Sequence, residues 1–420
     1  MKVNHQWRSR RLKYVVDRST EKASVEPGSY YVGLENVEPW TGAYIRTEAQ
    51  IETESVQFRV GDVLFGKLRP YLAKVHIAKT EGACSAELLA LRPGPDVSAE
   101  FLFYRLISAD FIDLVNSTTF GSKMPRADWE QIGSIRVAFP SLDEQARIVS
   151  ILDLKTTEID RSLERKQRLI ELLDEKRAAL ISRAVTQGLD LGVPMKDTGV
   201  PWLGRCVPAH WEPIAIKFGL RALVDTEHKT APFYPDGTFL VVRTSNIRRG
   251  ALVLEDARYT DEEGFKSWTA RGRPQAGDIM FTREAPAGEA CIVPEGVDLC
   301  LGQRVVLMRL DPNALTSRFT LWALYGGISA EFVKLLSQGT TVAHFNMEDI
   351  KNIPLLRPPL EEQVRIASHI DREVVKLDQI CAAARQSIEL MIERRSVLIT
   401  AAVTGQLDIR AHEKKMEALV

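Results

Sequence analysis

"PSLDEQARIVSILD", residues 140–153, and "PPLEEQVRIASHID", residues 358–371, are one phrase written twice. Each opens on a proline, crosses acidic residues to a glutamine, and becomes a helical pattern. Pro140 and Pro358 suit the position just ahead of a helix, while Asp143, Glu144, Glu361 and Glu362 put negative charge in the first turn, where the helix dipole favours it. Aligning Pro140–Asp190 on Pro358–Asp408 needs no gap, and roughly twenty of about fifty positions are identical, well above chance for unrelated helices. The chain carries an internal duplication.

Downstream of each phrase the apolar residues recur with coiled-coil spacing. The first series is Ile159, Leu163, Ile170, Leu173, Leu180 and Ala184; the second, in the same register, is Leu377, Cys381, Ile388, Met391, Leu398 and Ala402. Lys166 and Arg177 interrupt the first seam and Arg395 the second, which argues against an unbroken zipper. Some forty residues of helix extend on the order of 60 Å, too far for one small domain to cover. The matching seam of the other copy is the nearest partner at high effective concentration, against the simpler picture of two helices each lying on its own domain.

Upstream the two copies diverge. "VGDVLFGKLRP" (60–70) answers "AGDIMFTREAP" (276–286), "SAELLALR" (85–92) answers "GQRVVLMR" (302–309), and "GSKM" (121–124) answers "GTTV" (339–342), all at an offset of about 217 residues. The Gly-Asp pairs leading into apolar runs predict turns entering buried strands, and "TFLVVRTSNI" (238–247) has the same strand character. "AEFLFYRLISADFIDLV" and "SRFTLWALYGGISAEFVKLL" predict helices. Each divergent region is therefore expected to be α+β. Between the halves, "GLDLGVPMKDTGVPWLGRCVPAHW" (188–211) is rich in Gly and Pro and has no period, as a linker docking onto the second domain would be. The expected division is a first domain at 1–139, a helix at 140–187, linker and second domain at 188–357, a second helix at 358–410 and a tail at 411–420.

Composition narrows the function classes. With 420 residues, 45% hydrophobic and 26% charged, the chain is long enough for two or three cores, and no apolar run approaches the roughly 20 residues of a membrane span. No signal peptide is legible at the N-terminus, so a cytoplasmic location is expected. The five cysteines are scattered without a C-x-x-C pair and read as small buried hydrophobes, so no metal site is expected. A net charge of −1 neither requires nor excludes nucleic acid, since a basic face can hide in a neutral sum. There is no phosphate-binding loop and no dinucleotide fingerprint, and Thr244–Asn246 has no paired base that would make it a nucleophile site.

The doubled P-x-L-[DE]-E-Q-x-R-I phrase, the "AVT-x-x-LD" tails, the central "MKDTGVPWLGRCVPAHW" and the repeated "GD-[VI]-[LM]-F" resemble the DNA-specificity subunit of type I restriction-modification enzymes. The resemblance covers nearly the whole chain. It implies two target-recognition domains, each followed by a long helix, with the helices forming an antiparallel coiled coil and the halves related by a pseudo-two-fold. It also implies a non-catalytic subunit that reads a bipartite, asymmetric site on double-stranded DNA and docks two methyltransferase subunits, to which restriction subunits can be added. No cofactor is expected in this chain, S-adenosylmethionine and ATP with Mg²⁺ belonging to the partner subunits. The alternative is a coiled-coil scaffold whose globular domains bind protein rather than DNA.

Base readout uses Arg or Lys for guanine, Asn or Gln for adenine, and carboxylates for cytosine. Under the resemblance the candidate DNA-contacting residues of the first domain are Lys67, Arg69, Lys123 and Arg126. Those of the second are Arg243, Ser245, Asn246, Arg283, Gln303, Arg304, His344 and Asn346. For each one alone, a solvated charge or a turn-capping group is an equally good reading. As a set they mark loops whose chemistry changes between copies while the frame is kept. Arg8, Arg10, Arg11 and Lys13 form a further basic cluster suited to phosphate contact.

Overall fold

The doubled phrase begins a long helix each time. The computed structural model describes residues 7–23, 30–47, 55–197, 206–226, 229–284, 286–337 and 345–409. Its helices, in chain order, are α1 (Ala99–Ile107), α2 (Ala109–Ser117), α3 (Trp129–Ser134), α4 (Leu142–Gln187), α5 (Glu262–Trp268), α6 (Ser317–Tyr325), α7 (Gly327–Ser337), α8 (Met347–Lys351) and α9 (Leu360–Val403). α9 stops short of the expected 410, because Gly405 takes the left-handed conformation at φ +73° and turns the chain away.

Two units emerge, and they do not follow chain order. One comprises Met1–Gln167 with Arg385–Val420, the other Arg168–Ala384. α4 thus begins in the first unit and ends in the second, and α9 does the reverse.

In the first unit a four-stranded antiparallel sheet runs in the order Val16–Arg18, Leu88–Pro93, Val63–Gly66, Val75–Ile77. A second sheet orders Lys22–Ala23, Ser55–Phe58, Gly82–Ser85 and Tyr31–Val32, its last pair parallel. A ribbon pairs Arg8–Arg11 with Arg136–Phe139. Phe101, Phe111 and Leu91 form the core together with Ile148 and Leu152 of α4 and Ile399, Ala402 and Val403 of α9. Here the start of one long helix meets the end of the other, so the pair is antiparallel.

The second unit repeats the plan. Its main sheet is Leu220–Asp225, Val305–Leu310, Ile279–Thr282, Ala290–Ile292, strand for strand the order of the first unit. A three-stranded sheet joins Arg258–Thr260, Phe239–Val242 and Leu299–Leu301, again with one parallel pair. The ribbon Glu212–Ala215 with Pro354–Arg357 matches the ribbon of the first unit. Ile181, Ala184 and Val185 of α4 and Ile366, Ile370 and Val374 of α9 enter this core. They are the positions that the duplication pairs with Ile399, Ala402, Val403, Ile148, Leu152 and Thr156.

Both Gly-Asp turns are built the same way. Asp62 is buried, caps the Arg59 amide at 2.9 Å, and receives Arg92 on both carboxylate oxygens at 3.1 Å. Asp278 caps the Gln275 amide at 2.9 Å and receives Arg309. The glycine before each aspartate is left-handed, at φ +84° for Gly61 and +89° for Gly277, which is why the turn spells Gly-Asp.

Each predicted helix after the sheet is in fact two. The Ser108 hydroxyl donates back to the Arg105 carbonyl and separates α1 from α2. Between α6 and α7 the break is Gly326–Gly327. Gly327 sits at φ +57°, and a Cβ on it would meet Thr186 of α4 at 2.4 Å, so only glycine lets this corner press against the helix. Among the described residues no helix is long and apolar enough to cross a membrane.

Candidate functional site

The duplication gives the site its frame. In the first unit the Lys67 amide donates to the Glu87 carbonyl at 3.0 Å, and the Lys67 carbonyl accepts the Ala127 amide at 3.0 Å. In the second unit Arg283 does the same, its amide to the Arg304 carbonyl at 2.8 Å and its carbonyl from the Phe345 amide at 3.1 Å. Three segments are thereby laid side by side in each unit: the loop after the Gly-Asp strand, the turn before the next sheet strand, and the loop leading to the ribbon. In the first unit the Arg69 amide adds a 2.7 Å bond to the Pro125 carbonyl.

On this frame the side chains differ. Lys67 and Arg69 are half-buried, Lys123 and Arg126 exposed, and Arg126 pairs with Glu87 at 2.7 Å. Phe120, Met124 and Tyr71 are exposed among them, giving a basic surface interleaved with apolar groups. Arg69 and Ala73 are both left-handed, at φ +50° and +46°, and bracket the short helical turn Pro70–Leu72. Non-glycine residues held there store strain, which concentrates at working sites. In the second unit the position of Glu87 is taken by Arg304, also left-handed at φ +73°, and it pairs with Glu284 at 3.2 Å. The charge at the same place in the frame has changed sign.

Arg243, Ser245, Gln303 and Arg304 converge on a concavity of about 170 Å³, with Phe233 and Arg258 on its wall. Arg258 stacks over the Phe233 ring at 4.3 Å. The Ser245 hydroxyl and the Arg243 Nε are buried there without a hydrogen-bond partner among the described residues.

Two expected contacts are used up inside the fold instead. Arg283 is 6% exposed, grips both oxygens of Asp225 at 2.9 and 3.0 Å, and donates through Nε to the Phe345 carbonyl. Asn246 is fully buried: its Oδ1 accepts the Arg243 amide at 3.1 Å and its Nδ2 donates to the Val253 carbonyl. Asn36 does the same work in the first unit, receiving the Gly33 amide at 2.8 Å. "LEN" and "TSN" were therefore a retained structural turn, a signal available in the sequence but hidden by a single shared letter. Asn346 is exposed and caps α8 by accepting the Asp349 amide at 2.8 Å. His344 lies outside the described residues. The basic cluster Arg8–Arg11 forms an exposed strand.

Gln145 and Gln363, which helix physics alone left unexplained, bind the edge of the adjoining domain. Gln363 accepts the Thr316 amide at 2.8 Å and donates to the carbonyls of Ala314 and Pro358. Glu144 and Glu362 receive the indole N–H of Trp7 and Trp211 at 3.2 and 3.0 Å. The aspartates that end the doubled phrase also match: Asp153 accepts the Tyr104 hydroxyl at 2.7 Å, and Asp371 accepts the Trp322 indole N–H at 2.8 Å. Burial pushes the Tyr104 hydroxyl well above its ordinary range, so it remains a neutral donor. Among the described residues no group of three or more His, Cys, Asp or Glu side chains could hold a metal ion.

A family model for the type I restriction modification DNA specificity domain matches residues 7–172 and 229–389. The chain belongs to that family. Its members include relatives similar over part or most of this chain. The specificity subunit of the type I restriction enzyme EcoDI of Escherichia coli is 26% identical over 153 residues, which are 35% of this chain and about a third (34%) of that one. The StySPI specificity subunit of Salmonella potsdam is 21% identical over 330 residues, 76% of this chain and 67% of its own. In structure the chain is similar to one from a type I restriction-modification system solved to explain complex assembly and conformational transition. That match has a TM-score of 0.74 at 17% identity and covers 97% of this chain and all of the other. Specificity subunits are the non-catalytic members of these systems, and this chain is one.

Proposed function

We propose that this specificity subunit reads a split, asymmetric site on double-stranded DNA, one half with each unit. The observation that carries the reading is the frame with exchanged charges: the same backbone bonds hold Glu87 beside Arg126 in one unit and Arg304 beside Glu284 in the other. Carboxylates and guanidinium groups select different base edges in the major groove, so equal frames with unlike side chains suit two unlike half-sites. The contacts assigned to bases are Lys67, Arg69, Lys123 and Arg126 in the first unit, and Arg243, Ser245, Gln303 and Arg304 in the second.

Two methyltransferase subunits dock on the long helices, bringing S-adenosylmethionine; restriction subunits join with ATP and Mg²⁺. Exposed apolar residues support this docking: Leu390, Ile392 and Val397 of α9 in the first unit, and Leu169 and Leu172 of α4 with Val375 and Ile380 of α9 in the second. Because the partners help to enclose the duplex, a chain of net charge −1 need not hold DNA alone.

Selection from random duplexes by the purified complex with its methyltransferase tests the reading. It should enrich two unlike half-sites at a fixed spacing; enrichment of no split motif would sink it.

A further inference from the structure

Two arginines of the long helices occupy matching places, and each joins three things. In the first unit Arg395 of α9 is held by Asp160 of α4, Nε to Oδ1 at 2.9 Å and Nη2 to Oδ2 at 3.3 Å. Its Nη1 donates to the Trp40 carbonyl at 2.8 Å. In the second unit Arg177 of α4 lies beside Asp378 of α9 at 3.7 Å, and its Nη2 donates to the Arg249 carbonyl at 3.1 Å. Trp40 and Arg249 are both left-handed, at φ +64° and +53°. Neither is glycine, so each turn sits in a conformation that side chains resist and that something outside the turn must hold.

Each held turn is bonded to a segment of the recognition frame. The Trp40 amide donates to the Ala73 carbonyl at 3.2 Å, and Ala73 closes the turn that starts at Arg69, its amide donating to the Pro70 carbonyl at 2.8 Å. In the second unit the Arg249 amide donates to Glu289 at 2.6 Å. Glu289 in turn exchanges backbone and side-chain bonds with Thr282, the residue before Arg283. Tyr325, its hydroxyl kept neutral by burial, ties Glu289 to the Gly250 amide. An arginine of the long helices thus reaches the base-reading frame through two or three hydrogen bonds in both units. The reader side chains diverged, yet this linkage was kept.

We infer that Arg395 and Arg177 are positioning residues for DNA recognition: each fixes the recognition loop of its own unit against the helix pair by holding one left-handed carbonyl. This rests on the DNA-reading function proposed above. Asp160 orients the Arg395 guanidinium by two hydrogen bonds, whereas Asp378 only lies near Arg177; the donation to the turn, shared by both units, is what sets the loop. Arg177 and Arg395 are therefore working parts of the seam rather than interruptions of it.

The test uses the complex with its methyltransferase, selection from random duplexes, and thermal unfolding. The informative variant is the exchange Asp160→Arg with Arg395→Asp, which restores an ion pair across the helices but places a carboxylate, which cannot donate, where the Trp40 carbonyl needs a donor. Base discrimination at one half-site should fall by about tenfold, the scale of one lost bidentate contact, with the other half-site unchanged and the melting temperature near that of the native chain. Arg177→Met should do the same at the other half-site. Arg395→Lys, which keeps a charge and a donor, should retain part of the discrimination and covers the case in which the exchange fails to fold. Full recovery of discrimination by the exchange would overturn the inference, as would equal loss at both half-sites in any of these variants. Failure of the native complex to enrich a split motif would instead bring down the underlying DNA-reading function.

Discussion

Gln145 in the first turn of α4 accepts the Ser98 amide at 2.9 Å, and its own amide group donates to the carbonyls of Asp96 and Pro140 at 2.8 and 3.0 Å. Ser98 is the N-cap of α1, so one buried side chain fixes where two helices begin. Replacing it with methionine keeps the volume and leaves three polar backbone groups without a partner. Gln145→Met should lower unfolding stability by roughly 2–4 kcal/mol. Gln145→Glu sharpens the test: a carboxylate would face two carbonyls, which raises its folded pKa above the unfolded value of about 4.3. Stability is then present below the unfolded value and lost as pH rises through the folded one. Thermal melts at pH 5 and pH 8 should show Gln145→Glu losing more, relative to native, at the higher pH.

Asp62 makes an analogous prediction for the sheet. Its carboxylate is almost fully buried against the partly exposed Arg92. Asp62→Ala removes the turn cap and the partner of Arg92, a change worth about 1–3 kcal/mol. Asp62→Asn keeps an acceptor for the Arg59 amide and should lose less. Equal melting temperatures for the two variants would show that the ion pair, rather than the cap, carries the turn.

The fold was legible where a physical period or a repeated phrase wrote it down. The helix starts and their matching seams followed from Pro140, Pro358 and the apolar spacing, the α+β character of each half from the Gly-Asp strand runs and the helical stretches after them, and the antiparallel pairing from the family resemblance. The site was legible only in outline. Lys67, Arg69 and Arg126 are brought together by backbone bonds across 60 residues of sequence, which spacing cannot reveal. Arg283 aligns with Lys67, yet Asp225 claims it, because a partner 58 residues away decides whether an arginine is tied into the fold. The division into units was hidden for the same reason: the far half of each helix serves the other domain, and only antiparallel pairing shows it.

The cysteines give a chemical check on the packing. Four of the five are buried, but Cys206 is exposed on its strand, against the expectation that all are buried. Burial pushes the thiols of Cys291 and Cys300 up to about 12, so thiolate is scarce at neutral pH. Iodoacetamide at pH 7.5 should modify Cys206 alone in the native chain and all five in denaturant. Rapid native labelling of Cys291 or Cys300 would show that the core of the second unit opens readily.

α4 is one uninterrupted helix whose first part belongs to one unit and whose last part belongs to the other. Each unit has its own core and its own pieces of both long helices, so a change between those pieces need not disturb either recognition frame. Inserting four residues after Gln167, roughly one turn and about 6 Å of helix, should therefore lengthen the spacer preferred between the half-sites. The bases read in each half-site should stay the same. The measurement is selection from random duplexes with the complex assembled on the lengthened chain. Altered half-sites at an unchanged spacing would mean that the helices do not measure distance, and that the frame bearing Lys67 and Arg304 responds to strain along the seam.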